Sequence, residues 1–266
     1  MTKISELAIV GKKAKIANDV EVGPYAIIED EVEIGERVKI WPHAHVCNGT
    51  QIGGDTQVHM GAVLGHLPQD LTFDVNKKTH LVIGKRNVIR EYATIHRATK
   101  EGMATTVGDG CYLMAVSHVG HDCHIGNNVI LANGALLGGH VEVGDNSFIS
   151  GNVAVHQFCR LGSYVIVGGF SGINKDVPPY MLVRGPSVVR GVNLVALRRA
   201  KFPRETIHKI TDAFKLLYHS DLNTSQALEE IKKLGPSKEL DYLIEFIQSS
   251  KRGICKYKYS DTEYFE

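Results

Sequence analysis

The stretch SHVGHDCHIGNN, residues 117–128, places His118, His121 and His124 within seven positions. Imidazole titrates nearest neutral pH of all side chains, and it is also a common zinc ligand. Asp122 follows His121 and offers a carboxylate that could orient or polarise its ring. Three chemistries are open to such a group. The histidines could be solvated corner residues, zinc ligands, or a general base that takes a proton from an attacking hydroxyl. The choice depends on how the rest of the chain positions them.

That positioning is written in a six-residue repeat. Val10, Ile16, Val22, Ile28, Ile34, Ile40, Val46, Ile52, Val58 and Leu64 are evenly spaced and all aliphatic. The register breaks across GHLPQDLTFDVNKKTH, resumes at Ile83, Ile89 and Ile95, fails at Glu101, and then runs from Val107 to Ile173. The next residue is often glycine, as at Gly11, Gly23, Gly35, Gly108 and Gly126, and a small residue such as Ala14 or Ala26 comes four positions on. A period of six is neither helical nor simple strand alternation. It predicts coils of three short strands, eighteen residues per turn, stacked as a parallel β-helix. In that reading the aliphatics point inward and glycine takes the bend. Cys111, Cys123 and Cys159 fall on the small inward slot and are read as core.

Residues eighteen apart share a column, so His121, Gly139 and Gln157 stack. His140 lies one residue past that column and His156 one residue before it. Together they line one edge of the prism over roughly 10 Å. Gly139 is expected to leave room for a ligand, and its N–H could serve a developing oxyanion. His124 falls off this edge. A zinc site would need three imidazoles at ~2.0–2.1 Å, as between subunits of the γ-class carbonic anhydrases. The long gap and close histidine pair of that class are not present here.

After Ile173, Pro178 and Pro179 end the coil. Helical spacing follows over 192–200 and 204–218, with Pro203 just inside a helix start. Thr224 and Ser237 are read as N-caps of two further helices ending near Leu234 and Ser249. The tail KYKYSDTEYFE is expected to be loosely held. The expected domains are therefore a β-helix over 1–186 and a small helical domain over 187–266. The formal charge is +1 over 266 residues, which gives no case for bulk nucleic-acid binding. No apolar run approaches ~18 residues, and the N-terminus lacks a signal-peptide pattern, so the expectation is a cytoplasmic protein with no membrane span. Five cysteines without paired spacing argue against a disulfide framework. Exposed flat faces point to self-association, most naturally a cyclic homotrimer of three-sided prisms.

Several strings carry a specific resemblance: PQDL (68–71), TIHR (94–97), HVGHDC (118–123), GGHVEVGD (138–145), AVHQFCRLG (154–162), DVPPY (176–180) and GVNL (191–194). With the helical tail, the chain resembles the UDP-N-acetylglucosamine O-acyltransferase family, which acts first in lipid A synthesis. The resemblance implies a left-handed β-helix and no cofactor or metal. It implies transfer of an acyl or 3-hydroxyacyl group from acyl carrier protein to the glucosamine 3-position of UDP-N-acetylglucosamine; the alternative is a small coenzyme-A-dependent acetyltransferase, which would not need the long helical tail. It makes His121 the base, Asp122 its support and Gly139 the oxyanion donor. It places Asp70, His96 and His118 at the amino sugar, Gln69 among the substrate-binding residues, and His140, His156 and Gln157 along the groove shared by sugar and acyl chain. Asn193 and Arg199 would approach the nucleotide, and Gly169 would leave the acyl groove open to a longer chain. Arg198, Arg199, Lys201 and Arg204 offer basic charge to an acidic carrier protein. The chain departs from the family pattern at Thr72, where a lysine is common, and at Val195 and Ala200, where an acid and a second base are expected. These changes bear on nucleotide contacts and on whether the acceptor carries a 3-hydroxyl or a 3-amino group.

Overall fold

The computed structural model describes residues 1–257. Of the tail expected to be loosely held, only Lys256–Tyr257 fall in that range, and they form a strand beside Val188–Val192. The rest lies outside the described residues.

Two-residue strands recur at six-residue steps: Lys3–Ile4, Ile9–Val10, Lys15–Ile16, Glu21–Val22. Each pairs in parallel one coil on, with Lys3 opposite Glu21, Ile9 opposite Ile27 and Lys15 opposite Glu33. Three sheets of twelve, nine and eight strands result, called here the first, second and third faces in the order the chain meets them. One inward aliphatic per strand is enough because the coils stack continuously. Ile28, Leu64, Ile95, Leu131 and Ile149 are essentially inaccessible to solvent, and each such side chain contributes about 1.5–3 kcal/mol on burial. Cys111, Cys123 and Cys159 are buried in the same core, as expected.

The turn chemistry differs from the expectation. The left-handed backbone conformation falls three residues after the inward aliphatic, and non-glycine residues mostly occupy it: Asp19 (φ 57), Tyr25 (φ 59), Arg37 (φ 57), Asn128 (φ 54) and Asn146 (φ 58). The repeat glycine sits earlier and has another role. A Cβ on Gly53 would lie 2.5 Å from the carbonyl carbon of Gly84 in the next coil. Glycine is there because backbones approach closely, not because the chain bends.

Both breaks in the repeat leave the prism at one edge, between the second and third faces. Leu64 pairs with Ile95 rather than with a residue eighteen further on, and Ile83 pairs with Val107. Residues 67–79 and 97–103 are therefore excursions from consecutive coils, and the Glu101 break is a loop. The two clasp each other: Glu101 Oε2 accepts from the Lys78 N–H (2.9 Å), and the Gly102 N–H donates to the Lys78 carbonyl (2.9 Å).

The three edges differ in character. Leu7, Tyr25, Trp41, Met60, Tyr92, Val116 and Phe170 stand exposed along the edge between first and second faces. The edge between third and first faces carries ion pairs such as Arg37–Asp55 and Arg86–Asp109. The remaining edge carries the histidines.

The coil ends near Asp176. A hairpin of Met181–Arg184 and Val188–Val192 extends the first face across the expected boundary at 186. Among the described residues four helices follow: α1 (Leu194–Arg199), α2 (Arg204–Tyr218), α3 (Thr224–Lys232) and α4 (Lys238–Gln248). Pro203 stands just before α2 rather than inside it. The cap of α3 is Asn223, not Thr224. Its side chain accepts from the Gln226 N–H while the Gln226 side chain accepts from the Asn223 N–H. Ser237 occupies the cap position of α4, but its hydroxyl bonds Glu239 instead of the helix backbone. Ile210, Phe214, Leu240 and Leu243 join the same core as the coils. Tyr242 Oη accepts from the Ser163 N–H at 3.2 Å, so α4 is fastened to the prism.

Candidate active site

The edge between second and third faces brings His121, Gly139 and Gln157 into one column, as the eighteen-residue count predicts. Asp122 (φ 58), His140 (φ 60) and Phe158 (φ 65) form the next column at the left-handed turn position. This turn swings Asp122 back beneath the His121 ring. The His121 Nδ1 lies 2.8 Å from Asp122 Oδ2.

Asp122 is nearly buried and heavily held. The Thr99 backbone N–H (3.1 and 3.2 Å) and hydroxyl (2.8 Å) donate to its carboxylate, and its own N–H donates to Thr105 Oγ1 at 2.8 Å. Burial alone would raise its pKa. The hydrogen bonds from His121 and Thr99 outweigh that and hold it below the usual carboxylate range. An anionic partner at Nδ1 places the proton there and leaves the Nε2 lone pair free. Thr99 comes from the second excursion, which explains why sequence periodicity missed it: it lies where the repeat has stopped.

Gly139 does not leave empty space. A Cβ on it would lie 2.5 Å from His121 Cε1 and 2.7 Å from Nε2. The imidazole itself occupies the room that the missing side chain provides. The Gly139 N–H has no acceptor among the described residues and so remains available to a ligand. His140 stacks on Phe158 at 4.6 Å and meets His121 edge-on at 5.2 Å. Its Nε2 is 3.6 Å from Asp122 Oδ2. Burial lowers its pKa, against the pull of Asp122.

Further histidines extend the cluster along the second face. His118 Nδ1 lies 2.8 Å from Thr94 Oγ1, and its ring is 5.2 Å from that of His96. His96 Nδ1 bonds the Leu67 carbonyl, which anchors the first excursion. Burial lowers the pKa of both, that of His118 to about 4 with help from the neighbouring His96 and His121. The sign follows directly. Above about pH 6.5 His118 is neutral folded or unfolded, whereas between 6.5 and about 4 only the unfolded chain takes up the proton. Stability contributed by neutral His118 is therefore lost as pH falls through that window. The melting temperature of His118→Asn is expected to fall less between pH 7 and pH 4 than that of the parent. Equal slopes in thermal melts across this range would refute the assignment.

Asp70 folds back on its own turn, accepting from the Thr72 N–H (2.9 Å) and hydroxyl (2.8 Å). These two bonds hold its carboxyl low, and the charge of His121 acts in the same direction. Thr72 thus serves Asp70 locally. Gln69 is exposed on the same excursion. His156 and Gln157 are exposed at the next coil, where Arg252 donates to the Gln157 carbonyl at 3.1 Å and lies 3.4 Å from His156 Nδ1. Arg252 gave no signal in the sequence, since the coil count does not reach the helical part. His124 is exposed on the third face and paired with Thr106, away from the cluster.

Three candidate residues lie away from this edge, one on another edge and two in the helical part. Gly169 is exposed between first and second faces. Asn193 is buried and caps α1, its Oδ1 accepting from the Ala196 N–H (3.2 Å) and its Nδ2 donating to the Tyr164 carbonyl (2.8 Å). Arg199 stands exposed in the last turn of α1. The zinc reading meets one geometric condition: donor atoms of His121, Asp122 and His140 lie within 4.8 Å of one another. However, the Asp122 oxygens are already engaged by Thr99 and His121, the pattern of a carboxylate that orients an imidazole.

Comparison with known proteins identifies the family. A family profile described as "Udp N-acetylglucosamine O-acyltransferase; Domain 2" matches residues 176–255, and one described as "Bacterial transferase hexapeptide (six repeats)" matches 13–48 and 104–139. The acyl-[acyl-carrier-protein]--UDP-N-acetylglucosamine O-acyltransferase of Thermodesulfovibrio yellowstonii is 43% identical over 259 residues, covering 96% of this chain and all of that one. The solved UDP-N-acetylglucosamine acyltransferase of Bacteroides fragilis is 40% identical with a TM-score of 0.91, over 94% of this chain and 99% of that one. That of Francisella novicida is 36% identical with a TM-score of 0.92, over 96% and 94%. The fold is a left-handed parallel β-helix with a C-terminal helical part. On its repeat, its histidine edge and these full-length likenesses, the chain belongs to the UDP-N-acetylglucosamine O-acyltransferase family.

Proposed function

We propose that this protein moves an acyl chain from an acyl-carrier-protein thioester to the glucosamine 3-hydroxyl of UDP-N-acetylglucosamine, the first step of lipid A biosynthesis, with His121 as general base. The observation that carries this reading is the 2.8 Å contact from His121 Nδ1 to Asp122, which leaves Nε2 free beside Gly139. Nε2 takes the hydroxyl proton as the oxygen attacks the thioester carbonyl. The Gly139 N–H donates to the oxyanion of the tetrahedral intermediate. The C–S bond then breaks, and the imidazolium returns its proton to the leaving thiolate. Asp70, Gln69, His96 and His118 hold the amino sugar, while His140, His156 and Gln157 border the groove.

Gly169 lies on another edge and Asn193 and Arg199 in the helical part, so they complete the site only from a neighbouring copy. A homotrimer achieves this, and the exposed apolar edge from Leu7 to Phe170 is the surface it would cover. In that assembly Arg199 meets nucleotide phosphates and Asn193 acts through the cap that aims α1. The helical part is assigned from residue 187 onward, with its basic residues turned to the acidic carrier. Cytoplasmic residence suits both substrates. Among the described residues, no helix is long and apolar enough to cross a membrane.

Incubating the protein with UDP-N-acetylglucosamine and mixed acyl-carrier-protein thioesters, then weighing the products, tests the activity. Absence of any mass gain on the sugar nucleotide would overturn it. The same mixture tests acyl length. Gly169 carries no side chain, and a Cβ there would stand 3.3 Å from the Gly151 carbonyl oxygen. Gly169→Met is expected to shift the product distribution towards shorter chains by about tenfold in relative rate. An unchanged distribution would remove Gly169 from the acyl groove.

A further inference from the structure

Glu29, His45 and Cys47 form a second donor cluster on the histidine edge, well below His121. Glu29 and Cys47 are eighteen residues apart and stack in consecutive coils, in a column otherwise held by Gly11, Gly65, Gly120 and Gly138 among others. His45 projects from the second face beside them. The Glu29 Oε1 lies 2.9 Å from His45 Nε2, and Oε2 accepts from the Asn48 N–H at 2.8 Å. The donor atoms of all three residues lie within 4.8 Å of one another. Cys47 is buried, while the His45 and Glu29 side chains are 31% and 33% exposed, so the cluster opens to solvent on one side.

We propose that Glu29, His45 and Cys47 bind one divalent cation of the zinc class, with water in the fourth position. The donor set decides the class. Magnesium and calcium take oxygen ligands, whereas one thiolate, one imidazole and one carboxylate suit zinc or cobalt. Ligands at ~2.0–2.3 Å from a tetrahedral ion stand roughly 3–4 Å apart, so small side-chain rotations close the present spread. The backbone need not move, because both coils are already locked in a parallel ladder. The Asn48 N–H fixes the far carboxylate oxygen, the outer-shell support that metal ligands require, while the near oxygen and His45 Nε2 give up their mutual 2.9 Å hydrogen bond to the ion and the imidazole keeps its proton on Nδ1. On binding, the Cys47 S–H bond breaks, its proton passes to solvent and an S–metal bond forms, with no change of oxidation state. The Arg97 guanidinium, bonded to the Asn48 carbonyl at 3.1 Å, offsets part of the resulting negative charge. The ion would clip the second and third coils together just below the first excursion. Three strand spacings, roughly 14 Å, separate it from the corner that carries His121.

The full-length protein, stripped of metal and titrated with Co²⁺, provides the test. One equivalent per chain is expected to raise a near-ultraviolet thiolate-to-cobalt band, and Zn²⁺ should abolish it. The His121, Asp122 and His140 cluster contains no sulfur and cannot give that band. Cys47→Ser is expected to lose the band while keeping acyl transfer, which serves as the folding control. Glu29→Gln, at a half-exposed corner, should weaken Co²⁺ binding about tenfold or more. A parent protein without the band, a band that survives Cys47→Ser, or full affinity in Glu29→Gln would each overturn the proposal.

Discussion

His121→Ala is expected to lower kcat for acyl transfer by about 10³-fold, within the range that a positioned general base supplies. KM for UDP-N-acetylglucosamine should change little, because the proposed sugar contacts are made by other groups on the edge. The fold should survive. The ring lies over the bare α-carbon of Gly139 and is not part of the hydrophobic core. Asp122 loses one hydrogen bond but keeps those from Thr99, so its carboxylate stays satisfied and the stability change should be about 1 kcal/mol. Steady-state assays and native mass measurements together check the result. Loss of activity with the assembly intact supports the base. A residual rate above about a tenth of the parent would sink it, since a removed base cannot leave that much.

Gly139→Ala is the second large effect, and it separates position from chemistry. The new methyl would sit 2.5 Å from His121 Cε1 and 2.7 Å from Nε2, against about 3.5–4.0 Å for ordinary contact. The ring must shift by about 1 Å, and a shift of that size at a reacting group costs about 10²-fold in rate. The backbone N–H persists in alanine, so the oxyanion donor is not removed. The strain is cheap to relieve, because the obstacle is a side chain rather than backbone. The melting temperature should therefore stay within a few degrees of the parent while kcat falls. Activity within threefold of the parent would show that the imidazole tolerates displacement, and would remove the close fit from the mechanism.

The same glycine shows how far the sequence reading reached. Counting by eighteen placed His121, Gly139 and Gln157 in one column, because a ladder of identical coils turns sequence distance directly into position. The count could not say what filled the space over Gly139. That depends on the rotamer of His121, which Asp122 sets from a left-handed turn. The role of the repeat glycines is likewise hidden from the sequence. Periodicity locates them but does not separate a bend from a close approach, and here the bends fall on Asp, Asn, Tyr and Arg three residues after each inward aliphatic. Asn223 displaced Thr224 as a cap because Gln226 completes a reciprocal pair only with Asn223.

The repeat and the edge that bears the histidines were determined by the sequence alone, since each follows from spacing within a regular ladder. Tertiary structure decided what arrives from outside that ladder. Thr99 reaches Asp122 from an excursion, Arg252 reaches Gln157 from beyond the helices, Gly169 stands on another edge, and Asn193 and Arg199 belong to the helical part. A linear count measures position along one stack of coils, and these contacts join segments that the count does not connect.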